Sequence, residues 1–182
     1  MINIEKVKEI IPIQINQYRL SILSLKYMDK YIDNCVKYYY NQYDDFDFAK
    51  DISRDKLEAY IYKLINTYIF NIATSGECRL VLEYNNTLIA GCTIFERKKD
   101  LEIGWWVIPE YQHKNIGYMM MSRIIDELYT STIAFKNLYC VIREDNQPSI
   151  KLAQRLGFEM DKVVKGRTKN NYILKHNYKR RI

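Results

Sequence analysis

Eight residues, Gln112-His113-Lys114-Asn115-Ile116-Gly117-Tyr118-Met119, join two strongly patterned stretches of the chain. A strand-like run stops at Pro109, and a helical run rich in Ile and Met starts near Ile116. The first amides of a helix have no partner inside it and point at whatever lies beyond its end. The helix dipole adds partial positive charge at the same place. Gly117 carries no Cβ, so a ligand could approach its backbone closely. Such a helix start is a candidate cradle for a diphosphate. The plain alternative is an ordinary strand-to-helix turn, and one glycine does not decide between them.

The elements around this loop follow from residue periodicity. All six glycines lie after residue 75, so the first part of the chain is poor in breakers and the later part is punctuated. Residues 16–24 have the β-branched and aromatic mix of a first strand, after an N-terminal extension over 1–14. Residues 26–42 and 54–72 read as amphipathic helices. In the second, Leu57, Tyr60, Ile61, Leu64 and Ile65 recur at helical spacing. Between them lies the acidic, aromatic segment 43–48, with Asp44, Asp45 and Asp47. Strands are expected at 79–84 and 87–96, joined by Asn85-Asn86, a pair suited to a tight hairpin. A further strand spans 101–108, a helix 116–129, a strand 137–143 and a helix 147–156 that Gly157 can end. Two closing strands follow. This order predicts one α/β (α+β) domain over 1–182, with a mixed, mostly antiparallel sheet of about seven strands and helices on both faces.

Composition narrows the classes. The chain has 182 residues and is 48% hydrophobic, enough for one domain with a real core. Its start, MINIEKVKEI, is charged and unlike a signal peptide, and no apolar run approaches a membrane span. Cys35, Cys78, Cys92 and Cys140 are far apart and form no CxxC, which fits a cytoplasmic protein with reduced thiols. With His113 and His176 as the two histidines, no metal site is expected. The net charge of +6 is compatible with an anionic partner, although much of the excess lies in the tail from Lys175 to Arg181. No basic-aromatic recognition motif marks a nucleic-acid binder.

The cradle resembles the coenzyme A loop of the GNAT (general N-acetyltransferase) superfamily, whose pattern is Gln/Arg-x-x-Gly-x-Gly/Ala. Gln112 and Gly117 match the outer positions, and Asn115 stands at the middle glycine. Asn is the next-best residue at positive φ, so the departure is mild. The strand LEIGWWVIPEY, residues 101–111, resembles the one that precedes this loop in the family. Asn146-Gln147-Pro148-Ser149 followed by QRLGF at 154–158 resembles the next helix. The likeness covers about residues 78–160. It is looser before that, where YRLSILSLKYMDKYI at 18–32 is similar to the opening of the ribosomal-protein-alanine N-acetyltransferase branch.

The resemblance implies an acetyl-CoA-dependent transfer of an acetyl group to a primary amine, by direct attack in a ternary complex. The amides of His113, Lys114, Asn115, Ile116, Gly117 and Tyr118 would hold the diphosphate, and Gln112 would brace the loop. Lys114, Lys151 and Arg155 would neutralise phosphate or remain solvated surface cations. The strand ending Trp106-Val107-Ile108 would splay from strand 137–143 and pair with pantetheine. The amide of Trp106 or Val107 would then donate to the thioester oxygen. Glu102 shares a face with Gly104 and Trp106 by alternation. It aligns with the strand carboxylate that many relatives use as base, and its alternative is a strand-edge surface glutamate. Ala153 replaces a tyrosine acid common in the family, leaving Ser149 as the candidate acid or a helix cap. Asn146 would bond pantetheine or act as a cap.

The expected acceptor is a protein N-terminus or a small amine of polyamine or aminoglycoside type. A non-catalytic acyl-CoA-binding module and a basic nucleic-acid-binding protein are the competing classes. Acceptor specificity is expected from loops near 43–52 and 164–171, with the acidic segment as one wall of the acceptor site or as plain solvated loop. A homodimer is compatible with all of these.

Overall fold

The computed structural model describes residues 4–39, 53–71, 76–166 and 169–177. The acidic segment 43–48 and most of the basic tail lie outside them, as does the middle of the 164–171 loop. The elements run α1 (Ile4–Glu9), β1 (Ile13–Ile15), β2 (Tyr18–Ile22), α2 (Met28–Tyr39), α3 (Arg54–Phe70), β3 (Glu77–Tyr84), β4 (Thr87–Arg97), β5 (Asp100–Val107), α4 (Ile116–Thr130), β6 (Leu138–Arg143), α5 (Gln147–Arg155), β7 (Phe158–Lys165) and β8 (Asn170–His176). Short 3₁₀ turns at Leu25–Tyr27 and Pro109–Tyr111 complete the order.

Eight strands form one sheet in the order β1-β2-β3-β4-β5-β6-β8-β7. Every neighbouring pair is antiparallel except β5 and β6. That makes the sheet mixed and mostly antiparallel. The extension over 1–14 is structured from residue 4. It gives α1 and β1, and Asn16 turns β1 into β2 at φ 51. The Asn85-Asn86 hairpin takes φ 46 and 62, the positive pair that a two-residue turn demands.

The sheet carries a core on each face. One packs Val7 of α1, Met120 and Ile124 of α4, and Ile150 and Ala153 of α5 against Leu80, Leu82, Cys92 and Ile103. The other packs α2 and α3 against Val81 and Leu88. The two sets alternate along β3, as the period of a strand requires. In α3 the buried stripe is Leu57, Ile61, Ile65 and Tyr68, whereas Tyr60 and Leu64 face solvent. The stripe is thus one residue wide per turn, narrower than the periodicity predicted. Each of these side chains removed from water contributes about 2 kcal/mol. Gly91 lies where the faces are most tightly packed. A Cβ there would stand 2.6 Å from the Trp106 ring and 2.7 Å from the Leu80 carbonyl.

Candidate active site

β5 and β6 define the site by ceasing to pair. They run parallel through Leu101↔Leu138 and Glu102↔Tyr139 and then part. The Leu101 N–H donates to the Asn137 carbonyl on the β6 side, while the Ile108 N–H donates to the Ile89 carbonyl on the β4 side. Strand backbone groups alternate sides, so odd-numbered residues of β5 face the gap and even-numbered residues face β4. Trp105 and Val107 therefore present free N–H groups to the gap. Trp106 sits opposite Gly91 and directs its amide into the sheet. Of the two amides expected to reach the thioester, only Val107's faces the opening, and Trp105's joins it. The signal was absent from the sequence, because the parity is set by which residue pairs with β6.

Gln112 closes the top of this free edge. Its Nε2 donates to the Val107 carbonyl at 2.9 Å. A bracing role for Gln112 thus has a defined partner, and the Val107 N–H is left as the last open donor.

Beyond Gln112 the chain makes the cradle. His113 and Asn115 both sit in the left-handed region, at φ 58 and 64. Asn115 is the N-cap of α4, with its carbonyl accepting from the Met119 amide at 3.0 Å. The N–H groups of Ile116, Gly117 and Tyr118 are the helix's unpartnered first turn. The Asn115 side chain does not cap them. Instead its Oδ1 accepts from Arg155 of α5 at 2.7 Å, and the Arg155 guanidinium stacks 3.9 Å from the Tyr118 ring centroid. Arg155 thus latches α5 to the cradle, which the sequence did not disclose.

Gly117 has a different reason than closeness to a ligand alone. A Cβ there would lie 3.0 Å from Leu152 of α5 and 3.4 Å from Val107. The residue allows α4, α5 and β5 to meet. Lys114 turns its ammonium to the Tyr111 ring, 5.1 Å from the centroid. Lys151 and Arg155 line the cavity and supply its cations.

The cavity itself is about 790 Å³, within the range of cofactor sites. It runs from the cradle, past Trp105, Trp106, Val107 and Ile108, to Asn34 and Cys35 of α2. Asn146, Ser149, Gln112, His113, Asn115, Ile116, Gly117 and Tyr118 also line it. Asn146 caps α5, accepting from the Ser149 amide at 3.3 Å through Oδ1. Ser149 is half-buried and lines the cavity. Ala153 is fully buried, so the core fills the place of the family tyrosine. Burial pushes the Cys35 thiol up to about 12, against a lowering by Arg79 and by a Tyr31 hydrogen bond. The thiol therefore stays protonated at neutral pH and is no nucleophile.

Glu102 is not brought to the cavity. It lies where β5 and β6 still pair, three residues or about 10 Å along the strand from Trp105. Arg97 Nε holds its Oε2 at 2.9 Å, and the Tyr139 hydroxyl donates to the same oxygen at 3.3 Å. Arg97 pairs across from Asp100, so the carboxylate is drawn away from the splay.

These features fit an extended thioester carrying a diphosphate: an open strand edge for an amide-rich arm, a cation-flanked helix start, and a lane from one face of the sheet to the other. Residues 36–158, more than half of the chain, match the Acetyltransferase (GNAT) family. The protein belongs to that family of acetyltransferases, whose co-substrate is acetyl-CoA. Solved structures share the fold at low identity. The microcin C7 self-immunity acetyltransferase MccE, in complex with acetyl-CoA and AMP, superposes with a TM-score of 0.70 at 17% identity over 88% of this chain and 92% of its own. RimL, a ribosomal L7/L12 alpha-N-protein acetyltransferase bound to coenzyme A, gives 0.71 at 13% identity over 91% and 97%. A chimera of the spermidine N-acetyltransferase SpeG from Vibrio cholerae and hSSAT gives 0.66 at 19% over 88% and 95%. No curated protein sequence matches this chain significantly. Among the described residues no group of His, Cys, Asp and Glu is arranged to hold a metal, and no helix is long and apolar enough to cross a membrane.

Proposed function

We propose that this protein transfers the acetyl group of acetyl-CoA to a primary amine by direct attack in a ternary complex. The observation that carries the reading is the free edge of β5, with its open Trp105 and Val107 amides set between the α4 cradle and the α2 wall. The first-turn amides of α4 bind the diphosphate, and Lys151 and Arg155 offset its charge. Gln112 fixes the Val107 peptide, so its N–H is already oriented toward the oxygen on which charge develops. Preorganised donors of this kind contribute most to acyl-transfer catalysis.

The reacting amine must lose a proton. An α-amine near pKa 7.8 is about 14% neutral at pH 7, while a lysine amine near 10.4 is about 0.04% neutral. Neutral amine enters directly, and its proton leaves to water. Ser149 stands on the cavity wall as the hydroxyl that relays a proton from water to the departing thiolate, whose conjugate acid has a pKa near 8.5. The names of the structural neighbours support both a protein N-terminus and a small amine as acceptor.

Thiol release from acetyl-CoA tests the reading, measured against an alanine-initiated peptide, a diamine and an aminoglycoside. Turnover with at least one, and a loss of about tenfold or more in kcat for Ser149→Ala, is expected. Tight acetyl-CoA binding with no turnover on any amine would instead favour a non-catalytic acyl-CoA-binding module.

A further inference from the structure

The face of the sheet beneath α2 and α3 carries a second constellation, just below the splay. Glu102 stands opposite Phe95 on β4 and opposite Tyr139 on β6, so the three side chains share one face. Phe95, Glu102 and Tyr139 are all half-buried. A carboxylate beside two aromatic rings is a setting that binds a cation by charge and by the ring quadrupole together. A cation already occupies it. Arg97 donates Nε to Glu102 at 2.9 Å and lies 4.8 Å from the Phe95 centroid.

Arg97 is held by Glu102, by the Phe95 ring and by Tyr139, but only from a strand end. It is the last residue of β4, its side chain is 51% exposed, and the turn after it carries Lys98 at φ 62. The guanidinium end of the pair is open to water, so a competing cation can displace it from the half-buried carboxylate. Asp100 shares the face and is bonded to Asn137 at 2.8 Å. Lys175, opposite Tyr139 on β8, is exposed.

Among the described residues, the surface between this place and the reaction gap is open at Gly104. Gly104 follows Glu102 by two residues on the same face, and a Cβ built on it would meet no described atom within 4 Å. Trp106, two residues further, already lines the cavity. Glu102 and the gap-facing amide of Trp105 are separated by about 10 Å along the strand.

We propose that Phe95, Glu102 and Tyr139 form a subsite for a second cationic group of the acceptor, and that Arg97 fills it until the acceptor displaces it. The acceptor class is then an amine whose reacting nitrogen is about 10 Å from a distal ammonium or guanidinium. Diamines and polyamines satisfy this, as does a peptide N-terminus followed closely by a basic side chain. This inference rests on the acetyl-transfer reading, because the reading defines which end of the lane is the reacting end.

Calorimetry with 1,8-diaminooctane on the coenzyme A-loaded protein tests it, with 1,8-octanediol as the uncharged control. Arg97→Gln should bind the diamine about tenfold more tightly than wild type. Glu102→Gln should bind it at least about tenfold more weakly, and the diol should not bind. In turnover, Glu102→Gln should raise the KM of the diamine and leave kcat, with its pH profile, unchanged. Acetyl-CoA titrations of the same samples report folding and the cofactor site separately. Equal diamine affinity in all three proteins, or no affinity in Arg97→Gln, overturns the subsite. A Glu102→Gln loss confined to kcat, with a shifted pH profile, returns Glu102 to the role of base and overturns it too. Failure of wild type to bind acetyl-CoA would count against the acetyl-transfer reading instead.

Discussion

At the free edge of β5 and the start of α4 the proposed binding groups are backbone amides; on the α2–α3 face they are side chains. The first region offers Trp105, Val107 and the first turn of α4, positioned by Gln112, Asn115 and Gly117. The second offers Glu102, Phe95, Tyr139 and Arg97. A backbone site tolerates many sequences, because any residue supplies an N–H. It suits a ligand that never changes. A side-chain site is rewritten by single substitutions and suits the partner that differs from one relative to another.

Trp106 packs against both cores and lies over Gly91. Gly91→Ala forces its new Cβ into the indole and the Leu80 carbonyl. It should cost about 3 kcal/mol of stability in urea unfolding and impair both cofactor and acceptor binding. Full stability in this variant would mean that the central strands yield more easily than their packing implies.

The next test separates backbone from side chain. Val107→Pro removes the gap-facing N–H but no bond to β4, and residue 106 before it is already extended. It should lower kcat by about a hundredfold while acetyl-CoA affinity changes little. An unchanged kcat would assign the oxygen to Trp105. A smaller effect is expected at the Arg155–Asn115 latch. A double-mutant cycle of Arg155→Met and Asn115→Gly, read by acetyl-CoA affinity, should give a coupling of about 0.5–1 kcal/mol. Additive losses would reduce the latch to two independent surface contacts.

The amide face was the more legible in sequence. The helix start at Ile116, the left-handed Asn115 and the turn at Asn85-Asn86 follow from local chemistry, and each lies where residue type demands. What escaped depends on distant partners. The need for glycine at 117 comes largely from Leu152, in another helix. The direction of the Trp106 amide follows from the Leu101 to Asn137 bond, which no local pattern reveals. Alternation placed Glu102 on the correct face, but the point where β5 leaves β6 decides whether it meets the cavity. The short β1, paired with β2, was hidden in what read as an extension.

The gap beside Val107 and the α4 cradle are proposed to form one acetyl-CoA site. Its most direct test is a calorimetric titration of acetyl-CoA into wild type and Lys151→Glu, a reversal of an exposed cavity-lining charge. Wild type should bind in the micromolar range, and Lys151→Glu about tenfold more weakly at low salt. No binding to wild type, or the same affinity in both proteins, would contradict it.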